Sequence, residues 1–242
     1  MPLKQSDAII LRTYNVGEID KIAVFFSRDK GIIKGIAKGA RKFGNRFGSS
    51  LEPLSEVKIF YYEKEKKDLV TVNNCDLLES SFDAHKDLQT SFTLSYLTEL
   101  IEEFSPLREK NDVLYRLLQA LLQSIKSGGN LVFNSRYFEA WLLKIHGVLP
   151  DFNRCKKCHS PIAEKAWLSS KKDGILCDRC CSQKKEQIQP VLGNFIRWTM
   201  KNPPPQKGSL PFSLEELETI KKTLQGLLVF HLERTPKTLR YI

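Results

Sequence analysis

Residues 7–42 read DAIILRTYNVGEIDKIAVFFSRDKGIIKGIAKGARK. Three short runs, AIILRTYN, KIAVFF and GIIKGIAKG, are rich in Ile, Val, Phe and Tyr and are separated by turn-like segments. Two more runs of the same kind follow, EVKIFYYE at 56–63 and DLVTVNNC at 68–75. Five short strands joined by glycine-bearing turns predict a small closed β-barrel over residues 1–79. A five-stranded oligonucleotide/oligosaccharide-binding (OB) barrel is one candidate, with an SH3-like barrel or an open sheet as competitors.

Beyond residue 88 the hydrophobic period changes from two to helical. Leu94, Leu97, Ile101 and Phe104 form one stripe, and Leu114, Leu117, Leu118, Leu121 and Ile125 another. Pro106 separates these two helices and Gly128–Gly129 ends the second. A third helix runs through RYFEAWLLKIHGVL, with Trp141 read as core. Two more lie in VLGNFIRWTM and SLEELETIKKTLQGLLVFHL, where Ser213 and Glu216 have the spacing of a capping box. The linker NPPPQKGSLP at 202–211 cannot be helical. The expected organisation is α+β and multidomain: a barrel at 1–79, a helical domain from 80–150 and 188–242, and a cysteine-rich insert at 151–187.

That insert holds five of the six cysteines. Cys155-x2-Cys158 and Cys177-x2-Cys180 stand 18 residues apart, the spacing of a four-thiolate zinc site. Each pair makes a tight turn that aims two sulfurs at one point. Zinc suits thiolates because it is borderline-soft and accepts a tetrahedral shell. A closed shell leaves no position for a reacting water, so the zinc is expected to be structural. Cys181 and His159 are read as bystanders, and Cys75 as a small buried residue. The only H-x-E triplet, His231 to Glu233, follows both pairs, unlike the order in zinc deaminases.

The chain of 242 residues carries a net charge of +10, unevenly spread. Residues 1–75 carry 14 basic and 9 acidic side chains, and 76–150 carry 7 and 10. Residues 151–187 carry 9 and 5, and 188–242 carry 8 and 4. The surplus favours a polyanionic partner. It is densest in SRDKGIIKGIAKGARKFGNRFGSS, where Lys34, Lys38, Arg41, Lys42 and Arg46 alternate with glycines around Phe43 and Phe47. Cations neutralise phosphates, glycines allow close approach and aromatic faces stack on bases, so Lys34, Lys38, Arg41, Lys42, Phe43 and Arg46 are the candidate nucleic-acid contacts. The competing reading is a solvated loop whose phenylalanines anchor it to the core. Either Tyr61 or Tyr62, not both, can face outward. In the insert, Lys156, Lys157, Lys171, Lys172 and Arg179 either balance the thiolates or grip phosphate.

No nucleotide-hydrolysing loop, membrane span or secretory signal is read, and the scattered His85, His146, His159 and His231 assemble no active site. A non-enzymatic cytoplasmic protein is expected. Two other classes fit parts of the pattern, a zinc-ribbon protein acting on RNA or in transcription and a zinc-dependent nucleic-acid enzyme.

The motifs G-x-x-KG-x-x-KGARK, F-E-x-x-L-L-x-x-x-G-x-x-P and the two C-x-x-C pairs occur in an order that resembles the RecO family of bacterial recombination mediators over essentially the whole chain. That resemblance implies an N-terminal OB-fold, a helical domain and a zinc finger on Cys155, Cys158, Cys177 and Cys180. It implies binding of single- and double-stranded DNA, strand annealing, and help in loading RecA onto DNA coated with single-strand binding protein, at the nucleoid. The partners it implies are RecR and the acidic C-terminal tail of single-strand binding protein, with RecA engaged indirectly and no membrane. Arg136 and Lys144 are the cations expected beside the tail.

Overall fold

The computed structural model describes residues 2–63, 68–82, 87–162, 165–208 and 210–242; His85 lies outside them. The chain divides into two compact units, Met1–Leu122 with Arg240–Ile242, and Gln123–Leu239.

The first unit opens with β1 (Leu3–Val16), β2 (Asp20–Ser27), β3 (Gly31–Ala37), β4 (Glu56–Tyr62) and β5 (Leu69–Glu79). They close into a barrel in the order β1-β2-β3-β5-β4, with β4 returning to β1. Every pair is antiparallel except β3–β5, which is parallel, from Lys34↔Leu69 to Ala37↔Val72. This is the OB-fold. Alternation places Ala8, Ile10, Ala23, Phe25, Ile33 and Ile59 inside. Tyr61 is interior and Tyr62 half-buried, which resolves the choice between them. Gly35 also points inward, where a Cβ would come within 2.8 Å of Val72 and 2.9 Å of Val70, so the barrel closes only because that position lacks a side chain. Cys75 is buried as expected, and burial pushes its thiol up to about 11.

The same unit contains α1 (Leu88–Phe104) and most of α2 (Asp112–Lys126). The sequence reading drew its boundary at residue 79, ahead of both. Their association with the barrel follows from its outer surface, where Ile9, Val24, Phe26 and Ile32 are fully buried. Phe26 packs its ring 5.7 Å from that of Tyr115 on α2. The Arg108 N–H donates to the Ile32 carbonyl at 2.9 Å, Arg12 pairs with Glu102 of α1 at 2.6 Å, and Gln119 donates to Glu56 at 2.7 Å. Gly31 adopts φ +67°, and a Cβ there would lie 1.9 Å from the Glu109 carbonyl oxygen, so glycine lets the α1–α2 connector lie against the barrel.

The second unit is built on α3 (Leu131–Ile145), α4 (Pro190–Thr199) and α5 (Leu214–Leu232). Asn130 caps α3 by accepting from the Phe133 N–H, and Ser213 with Glu216 forms the expected capping box on α5. Phe133 packs edge-on against Phe195 and Trp198 at 5.6 and 5.4 Å. Trp141 is half-buried and donates from Nε1 to the Thr199 carbonyl at 3.2 Å. A small sheet in the order β7-β6-β8 completes the unit, from β6 (Ala166–Leu168), β7 (Ile175–Cys177) and β8 (Gln187–Ile188). Among the described residues, no helix is long and apolar enough to cross a membrane.

Candidate functional site

The insert folds so that its two cysteine turns meet. Antiparallel pairing of Ala166 with Cys177 brings the second turn to the foot of β6. The Lys156 N–H donates to the Ile175 carbonyl at 2.8 Å and fixes the first turn beside β7. Each turn closes on itself, His159 N–H to the Cys155 carbonyl at 2.8 Å and Cys180 N–H to the Cys177 carbonyl at 3.0 Å. The sulfurs of Cys155, Cys158, Cys177 and Cys180 all lie within 4.8 Å of one another, with Cys158 and Cys177 at 3.8 Å. Four thiolates about 2.3 Å from a tetrahedral ion stand about 3.8 Å apart, so the cluster has the dimensions of a metal shell.

Its electrostatics agree. Burial opposes ionisation of Cys155, but backbone N–H groups of Cys158, Cys177 and Lys157 outweigh it and bring the thiol down to about 6. Cys180 is pushed up to about 12 by the neighbouring sulfurs of Cys158 and Cys177. Four crowded sulfurs resist carrying four negative charges, and a divalent cation removes that conflict. The cluster can hold a metal ion. Cys181 and His159 stand outside the four, as expected.

Around it, Lys156 pairs with Asp173, Lys172 with Glu186 at 3.7 Å, and Lys184 with Asp178 at 2.6 Å. Lys172 also donates to the Gly226 carbonyl of α5 at 3.1 Å. Lys157, Lys171 and Arg179 are exposed and have no ion-pair partner among the described residues.

The basic segment is part strand, part loop. Lys34 lies on β3 facing outward, half-buried. It and Arg12 favour ionisation of Glu102, whose carboxyl burial nevertheless raises. Lys38, Arg41, Lys42, Phe43 and Arg46 all lie in the exposed loop between β3 and β4. The two phenylalanines divide. Phe47 is 3% exposed and joins the barrel core, whereas Phe43 projects fully into solvent at 108%. The anchoring expected of the phenylalanines is met by Phe47 and not by Phe43, whose ring is free of the core. Arg46 lies over the Phe47 ring at 4.9 Å.

Sequence reasoning missed what holds this loop. The Arg41 N–H donates to the Ile19 carbonyl at 2.9 Å, and its guanidinium donates to the Gly17 carbonyl at 2.9 Å. The Gly39 N–H donates to Asp20 Oδ1 at 2.7 Å. Two of the acceptors lie in the β1–β2 turn and the third, Asp20, is the first residue of β2, and an anchoring contact to a hairpin some 20 residues upstream leaves no local signature in the sequence.

Arg136, expected as a cation beside the acidic tail, lies in the interior instead. It is 1% exposed and pairs with the buried Glu139 at 2.9 Å on the same face of α3. With the Gln225 amide turned so that its oxygen faces the guanidinium, that oxygen accepts at 3.1 and 3.2 Å. A charge this deep is retained because it is paired and hydrogen-bonded. Lys144, in the last turn of the same helix, is exposed.

Known proteins match these features along the whole chain. Residues 1–81 match the family described as Recombination protein O N terminal, and residues 85–240 that described as Recombination protein O C terminal. The chain is similar to the DNA repair protein RecO of Koribacter versatilis (strain Ellin345), with 31% identity over 232 residues, 96% of this chain and 95% of that protein. It is 28% identical over 244 residues to the DNA repair protein RecO of Pelotomaculum thermopropionicum, covering 100% of this chain and 94% of the relative. An OB barrel, a helical unit carrying a four-cysteine finger, and full-length similarity to these proteins converge: the chain belongs to the RecO family of DNA repair proteins.

Proposed function

We propose that the protein is a non-enzymatic recombination mediator that binds single- and double-stranded DNA, anneals complementary strands, and helps load RecA onto DNA coated with single-strand binding protein. The observation that carries this reading is the loop of Lys38, Arg41, Lys42, Phe43 and Arg46, exposed on an OB barrel and held at its base by the β1–β2 turn. Annealing requires two backbones to be neutralised while base edges stay free. Lys34 and the loop cations serve one strand, and Lys157, Lys171 and Arg179 of the finger supply separate positive surface. The fixed cluster geometry supports a structural zinc on Cys155, Cys158, Cys177 and Cys180, which when bound supplies a closed thiolate cross-link and no open coordination position.

The proposed partners are RecR and the C-terminal tail of single-strand binding protein, with Lys144 as the exposed cation on the helical unit, and the proposed location is the cytoplasm at the nucleoid. The test is annealing of complementary single strands, bare and coated with cognate single-strand binding protein, without nucleotide. Annealing of coated strands is expected. Binding without annealing would reduce the protein to a general nucleic-acid binder.

A further inference from the structure

The two cysteine turns of the finger repeat one pattern, and in both the pattern sorts the side chains between the sulfurs. Cys155-Lys156-Lys157-Cys158 and Cys177-Asp178-Arg179-Cys180 each place two residues between a pair of clustered thiols. The first of those residues is tied back in both turns. Lys156 runs across Gly174, where a Cβ would come within 2.6 Å of the lysine Cδ, and pairs with Asp173. Asp178 pairs with Lys184 at 2.6 Å, and Lys184 lies 5.1 Å from the Trp167 ring centre. The second residue faces solvent in both: Lys157 and Arg179 are exposed cations with no ion-pair partner among the described residues. The described acids of the finger are otherwise engaged. Asp173, Asp178 and Glu186 each sit in an ion pair, and Asp151 accepts from the backbone and side-chain N–H groups of Asn153 at 2.9 Å.

Charge and placement then point the same way. A zinc tetrathiolate carries −2, but residues 151–187 hold 9 basic and 5 acidic side chains, so positive charge stays in surplus. The four sulfurs lie within 4.8 Å of one another, which brings Lys157 and Arg179 to one cluster although they are distant in sequence. Lys172 seats the insert on α5, donating to the Gly226 carbonyl at 3.1 Å and lying 5.7 Å from the Phe230 ring centre. Two cations held by a shared cross-link meet a phosphate backbone at less entropic cost than two independent surface lysines. The basic loop belongs to the first compact unit and the finger to the second, so one chain offers each of two strands its own unit. We propose that Lys157 and Arg179 form a metal-assembled phosphodiester clamp that holds the second single strand while the barrel loop holds the first. The inference rests on the proposed annealing and makes it depend on the cluster, because without the cross-link the two cations belong to two separate turns.

The test uses the zinc-loaded full chain. Titration with a short fluorescent oligothymidine gives the number of strands bound and the affinity for each, and bare complementary strands give the annealing rate. One variant is Lys157→Glu with Arg179→Glu. The other, Lys201→Glu with Lys222→Glu, makes the same change in net charge at exposed positions of the same unit outside the finger. Zinc content and melting temperature confirm that both are intact. The Lys157/Arg179 variant is expected to keep its affinity for the first strand within about twofold, to lose about tenfold or more for the second, and to anneal about tenfold more slowly. The Lys201/Lys222 variant should stay within about twofold throughout, and stripping the metal from the unmodified chain should reproduce the Lys157/Arg179 result. A Lys157/Arg179 variant that takes up the second strand normally, an equal loss in the Lys201/Lys222 variant, or a single strand bound by the unmodified chain overturns the clamp and leaves the loop reading intact. Capture of oligoglutamate by the finger with no second strand bound assigns the cations to an acidic protein partner and also overturns it. If the unmodified chain binds two strands without annealing them, the annealing reading fails and the strand count alone decides the clamp.

Discussion

Glu63 accepts hydrogen bonds from Lys4, Lys30 and Arg108, and these hold its carboxyl well below its ordinary value of 4.5, at about 2. A carboxylate depressed in the folded state contributes stability above about pH 4.5, and that contribution is lost as pH falls toward 2. Because the three cations are about one-third exposed, solvent screening reduces the contribution to about 1 kcal/mol. Glu63→Gln should therefore lower the unfolding free energy measured in urea at pH 7 by that much, and by much less near pH 2. A second single-residue dependence lies at Gly31. Gly31→Ala should cost about 2–3 kcal/mol by the same measurement, since the new methyl meets the Glu109 carbonyl in a backbone conformation that alanine resists. Alternation and glycine content made such positions legible as strand and turn, but not their neighbours. Nothing near Gly31 in sequence announces residue 109.

Among the elements, those with strong local signals appeared where the sequence placed them. Period-two runs became the five barrel strands, and the Ser213–Glu216 spacing became the cap of α5. Ser213→Ala should cost about 1 kcal/mol in thermal or urea unfolding through loss of that cap. The start of α3 was less legible. The run quoted for it opens at Arg136, whereas the helix begins at Leu131, because Asn130 caps it and no change in apolar period marks the spot. Arg136 was read as a surface cation for a similar reason. A charged residue on an amphipathic helix faces water by default, and only a partner on α5, Gln225, together with Glu139, makes burial tenable. The cysteine spacing, by contrast, specified the finger fully, since two tight turns and a short hairpin fix where four sulfurs go. Zinc analysis should give about one ion per chain, and Cys155→Ala should lower both zinc content and the melting temperature while leaving oligothymidine binding by the barrel in place.

For the molecule as a whole, charge is the property that sequence alone reported well. A net +10, spread over the barrel and the last 92 residues, predicts salt-sensitive binding. If about six phosphates are engaged, single-strand affinity should fall with a log–log slope of about −4 across a titration of monovalent salt. The association of α1 and most of α2 with the barrel was not legible, because each helix has an ordinary apolar stripe and the surface that receives it is spread over three strands. That covered surface bears on how the protein can be handled. A polypeptide cut after residue 81, where the two family segments divide, would keep every barrel strand yet bare Ile9, Val24, Phe26 and Ile32 together. Such a fragment is expected to precipitate or self-associate on expression, and one carried through residue 122 to remain monodisperse in light scattering.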